Sequence, residues 1–121
     1  MTDALVDQDA TCEGEAQESC REWELEMLDE GTASRLASTF SVLSDPTRVR
    51  IIAALAGGEL CVHELADALD MTHSAVSHQL ATLREMRLVA HTKQGRHVYY
   101  TLDDDHIYDL FQQGLAHVQH A

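Results

Sequence analysis

Between residues 62 and 102 the spacing of apolar residues changes period once, and that change leaves few folds open. Val62, Leu65, Ala66 and Leu69 recur at i, i+3, i+4 and i+7, the stripe of an amphipathic helix. Asp70-Met71 breaks the stripe and Thr72 is a good N-cap residue. Val76, Leu80 and Leu83 then mark the inward face of a second helix. After Leu88 the pattern alternates: Leu88 to Thr92 and His97 to Leu102 read as strands flanking Lys93-Gln94-Gly95-Arg96. Two short helices across a tight turn, followed by a hairpin, imply a chain that is mainly α with a β-hairpin, a winged helix-turn-helix.

The flanks extend the same logic. Leu36, Phe40 and Leu43 lie on one helical face, and Asp45-Pro46 stops that helix while supplying the N-cap and first position of the next. That next helix is expected to run through the apolar positions Val49, Ile52 and Leu55 to Gly57-Gly58. Asp103, Asp104 and Asp105 sit where a helix N-terminus favours carboxylates, and Ile107, Leu110, Phe111, Leu115 and Val118 follow at helical spacing. Residues 1–20 show no apolar periodicity, so residues 1–22 are read as a mobile acidic arm and residues 23–121 as one domain. With 45% hydrophobic residues in 121, the domain can bury a core, but a small one that a second subunit would naturally extend.

Charge is unevenly placed. The formal net charge is −13, yet residues 1–30 hold eleven acidic residues against Arg21 alone. Residues 71–100 hold Arg84, Arg87, Lys93 and Arg96 against Glu85, with His73, His78, His91 and His97 interleaved. A basic stretch inside an acidic protein suits contact with a polyanion. The longest purely apolar run, Ile51 to Ala56, is too short to span a bilayer, and the N-terminus lacks a signal-peptide layout, so a cytoplasmic protein without a membrane partner is expected. Cys12, Cys20 and Cys61 make an odd count, which in a reducing compartment favours free thiols or metal ligands over disulfides.

The second helix of the motif and the hairpin fit a DNA duplex. Thr72, Ser74, Ser77, His78 and Gln79 lie at the start of that helix, where hydroxyl, imidazole and amide groups reach base edges. Arg84, Lys93 and Arg96 are placed for phosphates, and the helix N-terminus adds its own anion affinity.

Three separated segments then carry a resemblance: Glu59-Leu60-Cys61-Val62-His63-Glu64-Leu65, Ser74-Ala75-Val76-Ser77-His78-Gln79-Leu80 and Lys93-Gln94-Gly95-Arg96-His97-Val98-Tyr99-Tyr100. Together they resemble the ArsR/SmtB family of bacterial metal-sensing repressors, nearest its zinc-sensing SmtB branch, from about Leu36 to the C-terminus. The resemblance implies a homodimer with its N- and C-terminal helices at the dimer interface. It also implies a recognition helix, beginning near Thr72, in the major groove of a palindromic double-stranded operator, and an inducer metal that weakens DNA binding.

The last helix carries Asp104, His106, His117 and His120. The three histidines share a narrow face, with His117 about 20° from His106 and His120 about 40° to its other side. His106 and His117 are nevertheless separated by roughly 16.5 Å along the axis. One helix cannot bring both to a single ion with Zn–N bonds of about 2.0–2.1 Å, whereas two antiparallel copies can. One carboxylate oxygen with three imidazole nitrogens suits Zn²⁺ or Co²⁺. In the SmtB branch the corresponding ligands are Asp, His, His and usually Glu, so His120 is a departure that makes the site less anionic. The resemblance also implies a coupling route from His117 through Arg87 to Leu83, at the end of the recognition helix.

A second constellation comprises Cys61, His63 and Glu64 at the start of the first motif helix, with Cys12 and Cys20 from the arm. The cadmium- and lead-sensing branch has Cys-Val-Cys where this chain has Cys61-Val62-His63. Such a set would take Zn²⁺ or Cd²⁺, and the three thiolates alone would suit Pb²⁺ or As(III). The expected function is a zinc-responsive repressor of metal efflux or sequestration genes. A cadmium, lead or arsenite sensor and a thiol redox sensor are the alternatives. A zinc hydrolase would need an open ligand position, a general base and a substrate pocket to which nothing in the sequence points, so the chain is not expected to be an enzyme.

Overall fold

Asp45 and Pro46 set the first corner of the chain. The Asp45 carboxylate accepts the Arg48 amide at 3.1 Å, and Pro46 occupies the first turn of the helix that follows. In the computed structural model, which describes residues 27–120, five helices and three strands follow in order. They are α1 (Glu30–Val42), α2 (Pro46–Leu55), β1 (Leu60–Cys61), α3 (Val62–Leu69), α4 (His73–Glu85), β2 (Val89–Gln94), β3 (His97–Leu102) and α5 (Asp105–His120). The acidic arm, with Cys12 and Cys20, lies outside the described residues.

The chain divides into two units, Met1–Leu36 and Ala37–Ala121. Within the first, Asp29 begins α1 by accepting the Thr32 amide at 3.2 Å, and hydrogen bonds from Thr32 hold the Asp29 carboxyl below the ordinary Asp value. The second unit holds the helix-turn-helix and the hairpin. Replacing Asp45 with alanine is expected to remove about 1 kcal/mol of stability. A thermal melt should fall by roughly 4–8 °C, and a shift under 1 °C would mean the cap is dispensable.

The core is built from α2, α3, α4 and the first residue of β2. Ile51, Leu65, Val76, Leu80, Leu83, Leu88 and Val89 are all at most 1% exposed. Ile51, Ile52 and Leu55 form the inward face of α2, and Val49, on the same apolar stripe, is 39% exposed. Val49 lines an apolar groove of about 340 Å³ with Phe40, Leu43, Ile107, Phe111 and Leu115. The α2 stripe is therefore split between the core and that groove. No residue of α5 is fully buried, although Ile107 and Phe111 pack against the core.

Both helices of the motif end alike. Asp70 (φ 56°) and Arg87 (φ 60°) adopt the left-handed conformation. After α3, Met71 donates to the Ala66 carbonyl at 3.0 Å; after α4, Leu88 donates to the Leu83 carbonyl at 2.9 Å. Each is the helix-closing bond of a Schellman turn, made here without glycine. Gly95 (φ +66°) opens the two-residue hairpin turn, where a positive φ matches the twist of the flanking strands. The hairpin is joined by β1, giving the antiparallel order β1-β3-β2 with Leu60 opposite Tyr100 and Cys61 opposite Tyr99. Cys61 therefore ends a strand and precedes α3 as its N-cap, a step earlier than the helical placement expected for it.

Candidate nucleic-acid and metal interface

The turn before α4 delivers its N-terminus to the surface. Thr72 caps it, its hydroxyl accepting the Ala75 amide at 3.0 Å. With Val76, Leu80 and Leu83 buried, helical geometry turns Ser74, Ser77 and His78 to solvent, and all three are exposed. Gln79 is different. It is half-buried, and its side-chain oxygen accepts a 2.9 Å hydrogen bond from Nε of Arg48, whose Nη1 also donates to the Val42 carbonyl at 3.1 Å.

Arg84 reaches the hairpin, its Nη1 lying 2.7 Å from Nδ1 and 3.3 Å from Nε2 of the His91 ring. His91 in turn meets Tyr100 edge to face, ring centres 5.7 Å apart. Lys93 and Arg96 stand exposed at the hairpin tip, and Gln94 donates to Glu59 at 2.8 Å across the sheet. These placements assemble hydroxyl, imidazole, amide and cationic groups along α4 and the hairpin, the chemistry that meets phosphates and base edges.

At the start of α5 stand two side chains of metal-ligating type, Asp104 just before the helix and His106 in its first turn. Oδ2 of Asp104 lies 3.5 Å from Nδ1 of His106, and Oδ1 accepts the Ile107 amide at 3.2 Å. Partial desolvation pushes the Asp104 carboxyl up, but the Ile107 hydrogen bond and the neighbouring His106 imidazole together outweigh it and hold the group below the ordinary Asp value. The carboxylate is therefore available as a ligand at neutral pH. His117 and His120 are exposed in the last turn of the same helix. The donor set fits a borderline divalent cation, provided a second copy supplies the other half.

Of the second constellation, Cys61, His63 and Glu64 lie at the start of α3, and Cys12 and Cys20 lie outside the described residues. Glu64 accepts the Cys61 amide at 3.0 Å, the reach-back bond of a capping box. His63 faces His73, with Nδ1 and Nε2 3.2 Å apart and the rings edge to face, and its other nitrogen lies 3.7 Å from Asp67. Cys61 is half-buried. Among the described residues, no group of three or more His, Cys, Asp or Glu side chains converges in one chain on a position that could hold a metal ion.

Arg48, His73 and His91 are the neighbours that sequence reasoning missed. Arg48 and Gln79 are 31 residues apart, and no local periodicity links them. His73 follows the recognised cap Thr72 directly, so its place at the helix start was legible, though its partner was not.

Comparison with known proteins yields consistent likenesses. The sequence profile described as "Bacterial regulatory protein, arsR family" matches residues 45–91. A transcriptional repressor SmtB homolog from Synechocystis sp. is 43% identical over 104 residues, covering 86% of this chain and 79% of that protein. The HTH-type transcriptional regulator NmtR of Mycobacterium tuberculosis is 41% identical over 93 residues, covering 77% of this chain and 78% of the relative. The solution structure of apo-NmtR superposes with a TM-score of 0.69 at 40% identity, over 78% of this chain and 80% of that one. A homodimeric winged helix-turn-helix DNA-binding domain from Mycobacterium bovis gives a TM-score of 0.70 at 25% identity, over 77% of this chain and 88% of that one.

Proposed function

The chain belongs to the ArsR family of bacterial regulatory proteins, DNA-binding regulators and not enzymes, and on that premise we propose that it is a zinc-responsive transcriptional repressor acting as a homodimer. The metal-free dimer binds a palindromic operator through α4 and the hairpin, and Zn²⁺ releases it. The protein works where the DNA is, in the bacterial cytoplasm, and no helix among the described residues is long and apolar enough to cross a membrane.

One observation carries the metal reading. Asp104 and His106 stand exposed and 3.5 Å apart at one end of α5, while His117 and His120 stand exposed at the other. Antiparallel packing of two α5 helices brings one pair level with the partner's other pair, twice per dimer. Three nitrogens and one oxygen favour Zn²⁺ or Co²⁺ over the softer Cd²⁺ and Pb²⁺, which the cysteine set with Cys12, Cys20 and Cys61 would suit better. For release, the ion must prefer a dimer geometry that binds DNA poorly, since equal affinity for both states would shift nothing. His117, with one ring nitrogen on the metal, can direct its other N–H to the Arg87 carbonyl, which follows α4 and is followed by the turn that closes onto Leu83.

Fluorescence anisotropy of a promoter duplex, with and without one Zn²⁺ per subunit, tests the reading. Zinc-driven release in wild type and in Cys61→Ser supports the α5 site. Release lost only in Cys61→Ser transfers the switch to the cysteine site, and binding indifferent to zinc defeats the proposal. The pH dependence has a definite sign. Imidazoles bind metal only when neutral, so zinc affinity should fall as the solution is acidified from about pH 8 to 5.5. Asp104, with its lowered pKa, stays ionised throughout that window. A flat affinity profile from pH 8 to 5.5, measured by competition with a zinc chelator, would count against a histidine-rich site.

A further inference from the structure

We infer that Arg48 is a positioning residue that fixes the polarity of the Gln79 carboxamide, so that Gln79 reads a hydrogen-bond acceptor, guanine in particular, in the operator. The inference rests on the proposed operator binding through α4 and assigns one residue a base preference within it.

The argument begins with the donor inventory. A guanidinium carries five N–H donors and no acceptor, so the Gln79 atom 2.9 Å from Arg48 Nε must be the oxygen. This removes the ambiguity that normally attends a glutamine side chain, whose O and N are assigned only from their partners. Arg48 cannot easily turn away. Its Nη1 is bonded at 3.1 Å to the Val42 carbonyl in the last turn of α1, so the planar guanidinium is held from two sides. Both bonds are partly buried, which shelters them from competing water.

The Gln79 oxygen is thus engaged toward α2. Its NH₂ group makes no hydrogen bond to another described residue. A free glutamine typically pairs with adenine, using its oxygen for N6–H and its nitrogen for N7 together. With one of the oxygen's two lone pairs taken by Arg48 and the oxygen turned toward α2, the side chain keeps its NH₂ group for another partner and has no free choice of orientation. Guanine presents two acceptors, O6 and N7, on the same major-groove edge, and either can take a hydrogen from the NH₂ group. Cytosine presents an N4–H donor there and meets a donor with a donor.

The test is a binding selection from randomised duplexes with the metal-free full chain, comparing wild type, Gln79→Ala, Gln79→Glu and Arg48→Met. Gln79→Ala should erase the preference at one base pair per half-site, and wild type should prefer guanine there. Gln79→Glu keeps an acceptor for Arg48 but puts a second oxygen where the NH₂ group stood, so it should favour cytosine over guanine by roughly tenfold. Arg48→Met frees the carboxamide and should move the preference toward adenine. Circular dichroism checks folding, and if Arg48→Met does not fold, the Gln79→Glu exchange decides alone.

Adenine preferred by wild type at the Gln79-dependent pair would overturn the inference. So would unchanged preferences in Gln79→Ala, or guanine still favoured in Gln79→Glu. In those three outcomes the repressor reading survives, because wild type still enriches an operator. If wild type enriches no sequence at all, the repressor reading fails and this inference fails with it.

Discussion

Replacing His106 with alanine is expected to raise the Zn²⁺ concentration needed to free the operator at least about 100-fold, with operator affinity of the metal-free protein unchanged. The side chain is 92% exposed and, among the described residues, its polar partner is Asp104. Its loss therefore leaves no cavity, and surface changes of that kind alter stability by less than about 0.5 kcal/mol. The metal loses a nitrogen donor outright. Removal of a group that only supports a ligand already costs about 10–100-fold in affinity, so removal of a ligand sets the lower bound. Anisotropy titrations in buffered zinc give both numbers. A shift under threefold would remove α5 from the proposed switch, and an equal loss of metal-free DNA binding would make His106 a structural residue. His117 offers the complementary experiment. A substitute that ligates but has no second N–H donor should keep zinc bound and lose release.

Replacing Leu80 with alanine should be the most damaging single change to the fold. The side chain is 0% exposed, on the α4 face opposite the polar one, and lies within the buried cluster formed by α2, α3, α4 and the start of β2. Truncating such a leucine costs about 2–5 kcal/mol through lost burial and the cavity left behind. A domain of this size has only about 5–15 kcal/mol in total. The melting temperature should fall by at least about 10 °C. Leu80→Met, which nearly conserves volume, should cost less than about 1.5 kcal/mol. A comparable loss from both would mean that shape, and not volume, governs the site.

Much of this fold can be read in the sequence because its signals are local. The period of 3.6 in Val62–Leu69 and Val76–Leu83, the caps Asp45 and Thr72, and the switch to alternation after Leu88 each act over a few residues. Local signals marked the ends of α3 and α4, at Asp70-Met71 and after Leu88, but were silent on how they close, because Asp70 and Arg87 take the left-handed place that glycine usually advertises. They were silent again at β1, whose two residues are too few to show a period and exist as a strand only by pairing with Tyr99 and Tyr100. Val49 sits on the right helix but faces the groove, because an apolar stripe does not say which of two apolar surfaces it will meet. The site divides in the same way. The exposure of Asp104, His106, His117 and His120 agrees with their spacing along α5, whereas the Arg48–Gln79 and Arg84–His91 pairs and the turn of His63 toward His73 depend on tertiary packing.

The two-residue strand β1 has a mechanical consequence. It clamps β3 at Tyr99 and Tyr100, directly before α3, so the hairpin behaves as a beam with a fixed root and an overhanging end. From Tyr99 to Arg96 the overhang is three residues, about 10 Å of strand. A tilt of about 10° at the root would swing the cationic end by about 2 Å, more than a hydrogen bond to a phosphate can follow. A rotation of α3 too small to disturb the core would in this way be geared up at the end of the wing, where Lys93 and Arg96, the proposed phosphate contacts, stand exposed.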